Sequence, residues 1–183
     1  MGENKTRYLN VIDKQKYKAL LGLMESNNDY SIINSIGAIG KYQFMPGTLN
    51  SLKNKFNLTD WKNPSFLKSR PDIQEIYIDA LINDSLNYIE NKNLGVYLGI
   101  PIKGSKRFKT INTKLNIYGM LAAIHLAGAT ALENFVENNV DPNDGQTSLS
   151  DYAALFSSRI ASSSSLFPFV LAFIPAILLY YYK

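Results

Sequence analysis

The 17 residues from 166 to 182 carry no charge. A helix that is apolar on every face can be covered in only two ways, by a protein core or by lipid. At about 1.5 Å per residue this run extends about 25 Å as a helix. A hydrocarbon core is about 30 Å thick, and the serines upstream can lengthen the run to meet it. Pro168 falls in the first turn, where proline is tolerated, whereas Pro175 is internal and predicts a kink. Tyr180, Tyr181 and Tyr182 ahead of Lys183 form an aromatic and cationic end suited to a membrane interface. Residues 157–165 are Ser-Ser-Arg-Ile-Ala-Ser-Ser-Ser-Ser, a small polar stretch that reads as a linker. The expected organisation is a folded domain over 1–156, the linker over 157–165, and a single-pass C-terminal transmembrane helix over 166–183. A buried core helix is the alternative for the apolar run.

The remainder is long enough for one compact domain. Of the 183 residues, 46% are hydrophobic and 19% charged, which excludes a disordered chain. There is no cysteine, so disulfides, thiol catalysis and thiolate metal sites are excluded. His125 is the one histidine, too few for a zinc site and a poor basis for a Ser-His-Asp triad. No metal and no cofactor is expected. The net charge of +4 fits a polyanionic partner without choosing among cell-wall polymer, anionic lipid and nucleic acid. Residues 1–18 contain no apolar core of a secretory signal.

Periodicity predicts a mainly α (α+β) domain. Tyr17, Leu20, Leu21 and Met24 recur at helical spacing, predicting a helix over about 14–25. Pro46 starts a second helix with Leu49, Leu52 and Phe56 facing inward. Ser69 and Pro71 open a longer helix that fades near Asn91, with Ile73, Ile76, Tyr77, Ala80 and Leu81 inward. Gly99, Pro101 and Gly104 among apolar residues predict a small β-hairpin over 96–109. Residues 115–126 form the most apolar helix, broken by Gly128, and another helix covers about 129–138. Ser148 with Asp151 three residues on resembles a capping box that opens the last soluble helix.

The chemistry concentrates between Glu25 and Thr48. Glu25 ends the first helix beside Met24 and Leu21. The negative end of a helix dipole and an apolar cleft wall both favour a protonated carboxyl, the state needed to protonate a glycosidic oxygen. After a loop of about a dozen residues comes Gly37-Ala38-Ile39-Gly40-Lys41-Tyr42-Gln43-Phe44-Met45-Pro46-Gly47-Thr48. Two glycines three apart permit a close backbone approach. Gln43 offers both donors and acceptors to an N-acetylated sugar.

Glu25-Ser26, Gly37-Ala38-Ile39-Gly40 and Gln43-Phe44-Met45-Pro46-Gly47-Thr48 together resemble the paired signature of soluble lytic transglycosylases and goose-type lysozymes. A looser third likeness, to phage- and plasmid-type wall-degrading domains, lies in Ala122-Ala123-Ile124-His125-Leu126-Ala127-Gly128 and Gly145-Gln146-Thr147-Ser148-Leu149-Ser150-Asp151-Tyr152. The resemblance covers about residues 14–156. It implies a lysozyme-like helical domain with a small β-hairpin, cleaving the MurNAc-GlcNAc bond of peptidoglycan. It implies Glu25 as general acid and then base, with Tyr42, Gln43 and Met45 lining the cleft and Ser26 either lining it or orienting Glu25. Many lytic transglycosylases carry Tyr-Asn where this chain has His125-Leu126. His125 either replaces the tyrosine at the substrate or is a satisfied core group.

Asp29 and Asp79 are the available second carboxylates, and neither lies in a motif. A lone glutamate suits substrate-assisted chemistry with a 1,6-anhydro product. A muramidase hydrolysing the same bond is the first alternative, and a catalytically silent wall-binding or membrane protein the second. The expected partners are glycan strands and, through residues 166–183, a lipid bilayer of a virion or a bacterial envelope. Nucleic acid is not expected. Lys103, Lys106, Arg107 and Lys109 around Phe108 read as a solvated hairpin edge or an anion contact.

Overall fold

The computed structural model describes residues 12–160. They are mainly helical, with seven α-helices and one two-stranded antiparallel sheet. They divide into two compact units, one of residues 14–81 and the other of residues 82–160 with 12–13. The expected transmembrane helix lies outside the described residues. Among the described residues, no helix is long and apolar enough to cross a membrane.

In the 14–81 unit, α1 spans Lys14–Ser26, α2 Pro46–Phe56 and α3 Pro64–Leu67, and α4 (Pro71–Asn91) contributes its first half. α1 buries Tyr17 and Leu21. α2 begins at Pro46, behind Met45 in an extended conformation, and buries Leu49 and Leu52. Phe56, expected inside, is only half-buried. On α4, Ile73, Tyr77 and Ala80 point inward as the periodicity predicts, but Ile76 is 45% exposed. The inward face is rotated, and Gln74 and Ile78 fill it. The sequence offered only apolar spacing there, whereas a polar residue with three hydrogen-bond partners packs equally well. Tyr42, Phe44 and Tyr77 form an edge-to-face chain at 5.9 and 6.4 Å. Such contacts add directionality to plain apolar burial.

The second unit is built on α5 (Ile117–Ala127), buried from Ile117 to Ile124 and packed against α6 (Ala129–Asn138) and α7 (Leu149–Arg159). Gly119 permits the α5–α7 approach, because a Cβ there would lie 2.1 Å from Ser157 Oγ and 2.5 Å from the Ala153 carbonyl. Asn116 caps α5, and its Nδ2 donates to the carbonyls of Ser157 (3.0 Å) and Ile160 (3.1 Å). Ser157 is therefore buried helix and not the start of a linker. Serine composition could not reveal a partner 41 positions upstream. The hairpin is also displaced from 96–109. β1 (Pro101–Lys103) pairs with β2 (Asn112–Lys114), Ile102 opposite Thr113.

The capping box is present in both directions, between Ser148 Oγ and Asp151 N and between Asp151 and Ser148 N. The Asp151 carboxylate also accepts from the backbone N–H groups of Lys106, Arg107 and Phe108 at 2.9–3.2 Å. Burial opposes its charge, but these donors outweigh it and hold the carboxyl below its ordinary range. The loop carrying Lys106, Arg107 and Lys109 is thus pinned from beneath, with those three side chains exposed.

Candidate active site

Glu25 occupies the last turn of α1 and is half-buried. Tyr17, two turns earlier and wholly buried, has its phenol pushed up first by burial and then by the charge of Glu25. The next residue, Ser26, is almost fully buried. Its hydroxyl donates to the Lys41 carbonyl at 2.8 Å and accepts from Asp29 N–H at 3.0 Å. A buried hydroxyl committed in this way cannot line an open cleft. Its hydrogen bond to Lys41 fixes the end of Glu25's helix to the glycine-rich segment.

That segment is a tight reversal. Ile39 and Phe44 exchange both backbone hydrogen bonds at 3.0 Å, and Gln43 N–H closes on the Gly40 carbonyl at 3.1 Å. Gly40 has φ +72°, and a Cβ on it would lie 2.0 Å from Gln74 Oε1. Gly37 has φ +86° with open space around it, so its need is conformational alone. Gln43 also adopts a left-handed conformation, φ +47°, and its amide Nε2 donates to the Gly40 carbonyl at 2.8 Å. The side chain is half-buried, and this bond sets the direction in which the amide faces. Met45 is 42% exposed beside it.

Tyr42 departs from expectation. It is wholly buried, and its hydroxyl donates to Glu75 at 2.5 Å. It supports the turn from within and does not line a cleft. Alternation across the reversal decides this: Tyr42 and Phe44 face the core while Gln43 and Met45 do not.

Behind the turn lies a polar network that sequence reasoning missed. Glu75 Oε1 accepts from Tyr30 OH (2.7 Å) and Tyr42 OH, and Lys41 Nζ stands 3.4 Å away. Glu75 Oε2 pairs with Lys18 at 3.0 Å, and Lys18 also reaches Asp79 at 3.1 Å. Lys41 Nζ lies over the rings of Tyr30 and Tyr42 at 5.0 and 4.9 Å. Burial acts against the Glu75 charge, but the two phenols and Lys18 prevail and bring its carboxyl down to about 2. Burial likewise opposes the Lys18 charge, and its two carboxylate partners prevail and raise it. The sequence carried one signal for this network, a lysine on the α1 face that also bears Tyr17 and Leu21.

The two candidate second carboxylates each have partners of their own. Asp29 accepts from the backbone and hydroxyl of Ser31, both at 2.7 Å, and these bonds hold it below its ordinary range. Asp79 is paired with Lys18. Glu25, Ser26, Tyr42, Gln43 and Met45 all belong to the 14–81 unit, whereas His125 is in the other unit, half-buried on the last turn of α5. Among the described residues, no group of three potential metal ligands gathers. Compared with known proteins, the chain matches no family model, no curated protein and no solved structure.

Proposed function

We propose that the chain is a lysozyme-like peptidoglycan lytic transglycosylase with Glu25 as its acid and base. The observation that carries this reading is the Ser26–Lys41 hydrogen bond. It joins the turn bearing the motif glutamate to the turn bearing the motif glutamine, two segments that the resemblance ties to one reaction.

In this mechanism the Glu25 carboxyl gives its proton to the glycosidic oxygen as the C1–O bond breaks. The N-acetyl carbonyl of the muramic acid stabilises the developing cation at C1. The Glu25 carboxylate then takes the proton of the sugar's C6 hydroxyl, whose oxygen closes on C1. The product is a 1,6-anhydro sugar, no water is consumed, and Glu25 ends protonated as it began. Double-carboxylate hydrolysis needs a second, ionised carboxylate across the bond. Neither Asp29 nor Asp79 lies in a motif, and the lone motif glutamate favours the one-carboxylate route over the muramidase alternative. Residues 166–183 would tether the enzyme to a bilayer, of a virion or of the cell envelope, and so keep it near its polymer.

Digestion of isolated cell walls tests this directly. Mass spectrometry of the released fragments should find anhydro ends, one water lighter than hydrolysis products. Glu25→Gln, which keeps size and loses the proton, should abolish release while leaving the fold intact. Reducing ends alone would make the protein a muramidase, and wild-type release by Glu25→Gln would remove Glu25 from the mechanism.

A further inference from the structure

The loop from Tyr30 to Tyr42 begins just after Glu25's helix and returns at the Gln43 turn. Two adjacent residues of α4, Gln74 and Glu75, hold both of its ends. Gln74 is fully buried. Its Nε2 donates to the Tyr30 carbonyl and to the Leu67 carbonyl, both at 2.9 Å, and its Oε1 accepts from Lys41 N–H at 2.9 Å. Glu75 takes the side chains of the same two ends, accepting from the Tyr30 and Tyr42 hydroxyls on one oxygen. The amide grips the backbone at residues 30 and 41, and the carboxylate grips the phenols at 30 and 42.

We propose that Gln74 and Glu75 form a clamp that sets the Gln43 turn against Glu25, with Glu75 a positioning residue for the reaction although it touches no substrate. The proposal rests on the wall-cleaving reading above. Three features argue for positioning over plain packing. One clamped end, Lys41 and Tyr42, directly precedes the candidate substrate-binding residue Gln43. The link continues to the residue after Glu25, because Lys41, whose N–H Gln74 holds, gives its carbonyl to Ser26. The clamp is also charged, and its cations Lys18 and Lys41 come from α1 and from the loop, so all three segments share one network. Interlocked polar networks of this kind select a single arrangement among several of similar apolar burial.

The test uses the full-length chain with Glu75→Gln, Tyr30→Phe and the double variant. Amide hydrogen exchange over residues 38–46 and steady-state cleavage of isolated cell walls are measured well below the melting temperature. Glu75→Gln should speed exchange in 38–46 and lower kcat about tenfold, with KM within about twofold, as expected for a displaced reaction geometry. Tyr30→Phe should give a smaller loss of the same kind, and the double variant should be no worse than Glu75→Gln, because both act on one network. A lowered melting temperature with unchanged kcat and KM would reduce Glu75 to a stability residue and overturn the proposal. Strictly additive losses, or unchanged exchange, would overturn it too. If Glu75→Gln does not fold, Tyr30→Phe decides: loss of kcat with faster exchange sustains the clamp, and wild-type values for either refute it. A wild-type chain that folds but cleaves no wall would refute the enzymatic reading, and exchange over 38–46 would then still report on the clamp itself.

Discussion

Gly40→Ala isolates the closest backbone contact of the site. Two penalties combine at this position. A non-glycine residue at φ +72° is strained by about 1–2 kcal/mol. The new Cβ would also lie 2.0 Å from Gln74 Oε1 and 2.4 Å from its Cδ. Gln74 is fully buried, so moving away from the new Cβ makes it give up hydrogen bonds to Lys41, Tyr30 and Leu67. At about 1 kcal/mol each these add about 3 kcal/mol, for about 4–5 kcal/mol in all. Gly37→Ala supplies the control, with a positive φ of 86° and nothing within 4 Å, and should lose only the strain, about 1–2 kcal/mol. Urea unfolding of both variants should separate them by about 3 kcal/mol at equal slope. In a Gln74→Ala background the clash and those three hydrogen bonds are already gone, so Gly40→Ala should be milder there by about 3 kcal/mol. Equal destabilisation by Gly37→Ala and Gly40→Ala, or additive effects of Gly40→Ala and Gln74→Ala, would refute the packing argument.

Glu75 predicts an acid limb. Its folded carboxyl sits near 2 against an ordinary 4.5, so its contribution is complete above pH 4.5 and is lost as pH falls toward 2. The gap bounds the contribution at about 3 kcal/mol, and Glu75→Gln should flatten this part of the stability–pH curve. Ser26→Ala should leave the Lys41 carbonyl and Asp29 N–H without their partner, destabilising by about 1–3 kcal/mol, and should lower wall cleavage about tenfold with Glu25 intact. Wild-type rates for Ser26→Ala would break the link drawn between the two motif turns. Asp151→Asn places an amide among four backbone N–H donors and should cost about 3 kcal/mol in urea unfolding, loosening the 105–109 loop in hydrogen exchange. Truncation after residue 160 should leave a folded protein that no longer associates with liposomes, whereas truncation after 156 should melt lower because Asn116 loses Ser157 and Ile160. Equal melting of the two truncations would return Ser157 to the linker.

Periodic helices with clear punctuation were legible from the residues alone. Lys14–Ser26, Pro46–Phe56 and Ala129–Asn138 fall within a residue or two of expectation, because apolar spacing, Pro46 and Gly128 are local signals that tertiary packing had no reason to override. The Ser148–Asp151 box was likewise readable, being a contact between residues three apart. The sequence also marked Glu25 and the glycine-rich turn as the place of interest. What it could not supply was pairing across distance. Gln74 and Glu75 lie more than 30 positions from the loop ends they hold, and on α4 they look like two polar residues of a solvated face. Ile76, which looks like core, is exposed instead. Tyr42 and Gln43 are neighbours in one motif, yet the reversal sends the first into the core and leaves the second half-exposed. Ser157 reads as linker until Asn116 is brought beside it. For Gln74, Glu75 and Ser157 the deciding energy is a hydrogen bond to a partner remote in sequence, made only once the chain has folded, and no local propensity encodes it.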